Sequence, residues 1–206
     1  MNKQEIIRYF RILSRIYDRP CRIILTGAAL GAVYGGVRAT LDIDFALIMK
    51  SRSRGKKAKD WQAFAEAAKK TSARTGIAAQ YAEDIDRWSS ITYLDYERHT
   101  RPFRKFGSIE VRVLKLPYWA IGKLTRYLDP DIRDLVQVLK KGKTPWQNLV
   151  RILGLALRKS PKSTACFQFR RQVEDFLTRY GRLIWGKSYR AESALNRFYR
   201  YAGIKS

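Results

Sequence analysis

In a chain of 206 residues there is one histidine, His99, and there are two cysteines, Cys21 and Cys166. One histidine excludes a His-rich zinc site and argues against Ser-His-Asp chemistry. The cysteines lie far apart and form no metal-ligand spacing, so reduced thiols in a cytoplasmic setting are expected. No stretch approaches the ~20 consecutive apolar residues of a membrane span, and no membrane partner is expected. Met1 to Glu5 are polar and lead into a helical pattern, which does not read as a secretory signal. Acids are scarce as well. Eighteen Asp and Glu face 42 Lys and Arg, a net charge of +24, where about 2–8 is an ordinary surplus for a small domain. Interleaved with 13% aromatics, this excess points to a polyanionic partner. Nucleic acid is preferred to a membrane because no amphipathic anchor stands out; a generally basic proteome or a colloidal role is the alternative.

What is present suffices for a core: 46% of residues are hydrophobic, and the length suits one domain, or one domain with a helical annex. The most informative stretch runs from Arg22 to Met49. Ile23-Ile24-Leu25 reads as a buried strand. Gly27 ends it, Ala28 to Tyr34 form one or two helical turns, and Gly35-Gly36 breaks them. Arg38-Ala39-Thr40 leads into Leu41 to Ile48, where acids alternate with apolar residues before the run becomes fully apolar. Residues two apart on a strand share a face, roughly 6.6–6.8 Å from each other along the backbone. Asp42 and Asp44 therefore point the same way, and both reach metal ions lying roughly 3.5–4 Å apart. A solvated strand end is the bland reading of such a pair.

A glycine turn, a short helix, an Arg-x-Thr and an Asp-x-Asp strand resemble the core of the DNA polymerase β-type nucleotidyltransferase superfamily. Within it the pattern is most similar to the AbiEii-type toxin nucleotidyltransferases of toxin–antitoxin and abortive-infection systems. The resemblance covers roughly residues 20–140. Gly27 matches the family's first turn residue, and Ala28 stands where a second glycine or a serine is usual. Arg38, Thr40, Asp42 and Asp44 fall at the family's spacing. The resemblance implies a third metal-binding carboxylate on a neighbouring strand. Asp95, inside an otherwise apolar and aromatic run from Ser90 to Tyr96, is the candidate, with Glu97 and Glu110 as runners-up. It further implies that Lys123 contacts the triphosphate, followed by an aspartate-bearing helix matched by Asp131 and Asp134. The implied cofactors are two Mg2+ ions, with an NTP as substrate. Gly27 and Ala28 would bring backbone N–H groups to the phosphates, Arg38 would add charge, and Thr40 would orient the aspartate strand. The implied acceptor is RNA, in particular a tRNA 3′ end, with a cognate antitoxin protein as a further partner.

Elsewhere, residues 3–17 place apolar side chains at helical spacing. Lys50 to Lys59 reads as a basic loop, either solvated or touching phosphates, with Asp60 capping a helix from Trp61 to Arg74. Ile77 to Tyr81, Ser90 to Tyr96 and Ile109 to Leu114 read as strands, and 97–107 as a hairpin loop or a disordered connection. Leu116-Pro117 opens a helix. Asp129-Pro130 breaks the chain, and Asp131 to Lys140 forms the next helix with Ile132, Leu135, Val136 and Leu139 inward. Residues 140–206 hold sixteen Lys and Arg against three acids, on helices expected at 145–159, 166–185 and 192–201. Lys140, Lys141, Lys143, Arg151, Arg158, Lys159, Arg170 and Arg171 are the candidate RNA contacts. The expected fold is α+β: a small mixed sheet flanked by helices over 1–140, with a basic helical bundle over 141–206. A nucleic-acid binder on a decayed nucleotidyltransferase fold, an antitoxin or regulator, is the competing reading.

Overall fold

Asn2 starts the first helix, α1 (Lys3–Ile16), with its side chain accepting from the N–H groups of Gln4 and Glu5. Glu5 returns the bond, accepting from the Asn2 N–H at 2.6 Å, a reciprocal cap that satisfies otherwise orphaned donors. This computed structural model describes residues 1–36, 40, 42–51 and 53–204, the side chain of Trp88 excepted. The chain divides into two units, Met1–Ile85 with Thr100–Leu114, and Asp86–His99 with Lys115–Ser206. The boundary expected after residue 140 falls inside the second of these.

The first unit continues through β1 (Cys21–Leu25), α2 (Gly27–Val33), β2 (Asp42–Met49), α3 (Arg54–Thr75) and β3 (Ala78–Ala82), then β4 (Thr100–Phe106) and β5 (Ile109–Leu114). The strands make one sheet in the order β3-β2-β1-β5-β4. β1 runs antiparallel to β2 and parallel to β5, so the sheet is mixed and the fold is α+β. One face is apolar: Phe45 of β2 meets Phe10 of α1 at 6.0 Å, Phe64 of α3 at 6.1 Å and Tyr81 of β3 at 5.3 Å between ring centroids. Strand alternation turns the even-numbered residues of β2 to the opposite face. Register carries that polarity across the sheet, with Gln80 opposite Asp44, and Arg22 opposite both Ile48 and Glu110.

Three expectations along these segments are corrected. The basic loop ends early, because Ser53 caps α3 by accepting from the Lys56 N–H, and lysine is a good helix former. Asp60 lies buried inside α3 and caps nothing. Residues 97–107 are neither a loop nor disordered, since Thr100 to Phe106 pair with β5. β4 is an edge strand, where arginines and lysines protect an open flank.

In the second unit, α4 (Leu116–Arg126), α5 (Asp129–Lys141), α6 (Trp146–Lys159), α7 (Thr164–Trp185) and α8 (Ala191–Ala202) form a bundle. Pro130 sits in the first turn of α5 instead of breaking the chain, because no intrahelical donor is needed there. α6 and α8 approach closely at Gly154, where a Cβ would stand 2.6 Å from the Tyr201 Cβ and 2.9 Å from the Phe198 carbonyl. The strand expected over Ser90 to Tyr96 does not form. Its backbone donors go to side chains: Thr92 N–H to Ser160 Oγ, Tyr93 N–H to Asp86 Oδ1 and Leu94 N–H to Thr92 Oγ1. Its apolar residues Ile91, Tyr93 and Tyr96 are buried, with the Tyr93 hydroxyl 1.8 Å from where a Cβ of Gly122 would be. Among the described residues no helix is long and apolar enough to cross a membrane.

Candidate functional site

The polar face of the first unit's sheet carries the aspartate pair. Asp42 and Asp44 are both half-buried and flank the buried Ile43. Asp42 is held from two sides by neutral donors. Thr40 Oγ1 donates to its Oδ1 at 2.5 Å, and Gln80 Nε2 donates to its Oδ2 at 2.9 Å. Neutral donors orient a carboxylate without cancelling its charge.

Asp44 is positioned by the turn beside it. The Thr26 N–H donates to the Asp44 carbonyl at 3.0 Å, tying the end of β1 to β2. Gly27 has φ +54°, and a Cβ there would lie 1.8 Å from Asp44 Oδ2. The glycine at this turn is therefore required by the carboxylate of Asp44 itself, which fills the space a side chain would take, as well as by its left-handed backbone. Ala28 follows in α2. Arg38 lies outside the described residues.

Gln80 was not foreseen. It is the one polar side chain in β3, Ala78-Ala79-Gln80-Tyr81-Ala82, and parallel pairing of β3 with β2 places it across from Asp44. That pairing is long-range, so the only signal in the sequence was a lone amide in a weak strand.

Asp95 does not sit in a strand. It precedes a short 3-10 turn, its side chain is 60% exposed, and it pairs with Arg98 at 3.1 Å. Exposed and paired in this way, its carboxylate bears no burial cost for a metal ion to relieve, and Glu97 is exposed on the same turn. Glu110 does lie on the polar face of the sheet, but toward its other end. It is opposite Arg22, whose β2 partner Ile48 is four residues, about 13 Å of strand, beyond Asp44. Arg112 and Arg22 bond Glu110 at 2.9 and 3.2 Å, with Lys50 at 3.6 Å. The Arg112 hydrogen bond, aided by Arg22, holds its carboxyl below the ordinary range against the opposing effect of burial. Among the described residues no group of three or more acids, histidines or cysteines is placed to hold a metal ion.

In the second unit Lys123 is 2% exposed, its Nζ donating to Asp131 Oδ1 at 2.8 Å and Asp134 Oδ2 at 2.7 Å. Arg126 adds a bond to Asp131 at 2.8 Å. Burial pushes the Asp131 carboxyl up, but the hydrogen bonds from Lys123 and Arg126 outweigh it and leave it below its usual range. The buried face of α5 is accordingly Asp131, Asp134, Leu135, Val138 and Leu139. Ile132 and Val136, expected inward, are only half-buried.

The candidate RNA contacts also lie in the second unit. Lys140, Lys141, Lys143, Arg151, Arg158, Lys159 and Arg171 are exposed, with Arg151 and Arg158 two turns apart on one side of α6. Arg170 is half-buried instead, bonded to Glu174 at 2.7 Å and lying over the Tyr199 ring at 5.2 Å. No family model, curated protein or solved structure matches the chain.

Proposed function

We propose that the chain is a metal-dependent nucleotidyltransferase of the cytoplasm that moves a nucleotide from an NTP to an RNA acceptor, a tRNA 3′ end, and so acts as a toxin held in check by an antitoxin. The observation that carries this reading is the Asp42–Asp44 pair on the polar sheet face, one member seated against Gly27 and the other held by neutral donors. An oxygen-only donor set fits magnesium, which keeps several waters and needs few protein ligands. Two such ions at Asp42 and Asp44 would neutralise a triphosphate and activate the attacking hydroxyl. The chain's own part is to aim two carboxylates and exclude alternatives: Thr40 and Gln80 fix Asp42, and the Gly27 turn fixes Asp44. The exposed cations of the second unit suit the phosphates of a structured RNA, which is recognised largely through shape and backbone.

Incubation with Mg2+, labelled nucleotides and total RNA tests this. Label should enter RNA with wild type and be lost with Asp44→Asn. Absence of label in wild type across all four nucleotides would sink the enzymatic reading.

One observation favours the competing reading, a nucleic-acid binder or regulator on a decayed fold. Lys123, the residue matched to a triphosphate contact, is buried between Asp131 and Asp134. Under that reading both proteins bind RNA equally and neither transfers label.

A further inference from the structure

The first unit holds a second charged feature that the aspartate pair does not use. A cavity of about 800 Å3 opens where the loop after α1, the end of β2 and the first turns of α3 meet. Its lining includes Arg19, Lys50, Lys56 and Lys59, with Ser51 and one acid, Asp60. That acid is already committed. Arg19 Nη1 bonds Asp60 Oδ1 at 2.6 Å, and the Ser51 hydroxyl donates to Oδ2. The Ser51 bond first, and Arg19 with it, holds the Asp60 carboxyl below its usual range. Asp60 is 4% exposed and Arg19 45%, so the carboxylate works from behind. It steadies one edge of the guanidinium and leaves the remaining donors for the opening. Lys50 reaches Glu110 at 3.6 Å. Lys56 and Lys59, one turn apart on α3 and both exposed, have no carboxylate within ion-pair distance among the described residues. Lys57, the lysine between them that does not line the cavity, is paired with Glu83 at 2.8 Å. Four cations converging on one cavity around a single occupied acid repel one another, and an anion between them relieves that cost.

We propose that this cavity binds backbone phosphates of a polynucleotide, as an anchor separate from the aspartate pair. Lys50 follows β2 six residues after Asp44, about 20 Å along an extended strand. One nucleoside triphosphate held at Asp42 and Asp44 does not reach that far, whereas an RNA strand does. The identity of the strand as RNA rests on the function proposed above; the phosphate chemistry of the cavity does not.

The test compares Lys56→Gln/Lys59→Gln with Lys69→Gln/Lys70→Gln, which removes equal charge from exposed positions of the same helix outside the cavity. Binding of a labelled RNA hairpin and of inorganic tripolyphosphate is titrated over a series of salt concentrations, with unfolding curves confirming that both variants fold. The cavity variant should weaken hairpin binding about tenfold at low salt. It should also flatten the log–log salt dependence by about 1.4–1.8, two phosphate contacts' worth. The control pair should change both far less, and tripolyphosphate should bind wild type much more weakly than the hairpin. Equal effects of the two pairs, or none from the cavity pair, overturn the proposal. Tripolyphosphate binding as tight as the hairpin, and lost in the cavity variant, overturns the polynucleotide assignment in favour of a free polyphosphate. Repeating the titration with Asp44→Asn separates the two readings: cavity-dependent binding that persists while wild type transfers no label removes the nucleotidyltransferase and keeps the anchor.

Discussion

Gly27 sets the tightest constraint on a single residue. Its φ of +54° and the 1.8 Å gap to Asp44 Oδ2 leave no room for a methyl group. Gly27→Ala should cost about 1–3 kcal/mol from backbone strain, before any repacking of Asp44, read from urea unfolding curves. Lys123 is a different case, a buried cation facing two carboxylates that lose it together. Lys123→Met should cost about 3–5 kcal/mol, because Asp134 is left buried without its ammonium partner. His99 supplies a pH signal free of competition from other histidines. It stacks on Tyr118 at 4.3 Å. Burial, with the charges of Lys115, Arg151 and Arg98, lowers its pKa against the opposing pull of Asp95. The unfolded chain then binds the proton more readily below about pH 6.5. Stability should be level above about pH 6.5 and fall as pH drops from there toward the lowered folded value. Urea midpoints at pH 7.5 and 5.5, compared between wild type and His99→Gln, read this directly; a drop of equal size in the variant would remove the assignment to His99.

At the scale of elements, periodic apolar stripes decide where helices lie, and close approach decides how they cross. Gly154 permits the α6–α8 contact by omission, so Gly154→Leu should destabilise by about 1–3 kcal/mol or more through overpacking, seen as a lowered midpoint in thermal melts. Strands are less legible. Ser90 to Tyr96 has strand composition, yet Asp86, Thr92 and Ser160 take its backbone donors while its apolar side chains are buried. β4 shows the reverse. Its charged, proline-containing sequence reads as a loop, and pairing with β5 makes it an edge strand. In each case the outcome turns on a particular pairing, with β5 for one segment and with the side chains of Asp86, Thr92 and Ser160 for the other, which composition does not encode.

For the whole molecule, a charge of +24 predicts RNA affinity that drops steeply with salt, since every neutralised phosphate releases counterions. Gel-shift titrations from 50 to 200 mM salt should show it, and a flat response would remove the polyanion partner. Charge surplus, scarcity of histidine and cysteine, amphipathic helices and the Asp-x-Asp strand were all readable along the chain, because each is a property of composition or of a spacing under ten residues. Placement was not. That Gln80 orients Asp42, that Asp44 is what Gly27 makes room for, that Asp95 stands in solvent, and that Arg19 meets Asp60 across 41 residues depend on which strands and helices become neighbours. Burial and register are settled by that packing, and side-chain roles follow from them.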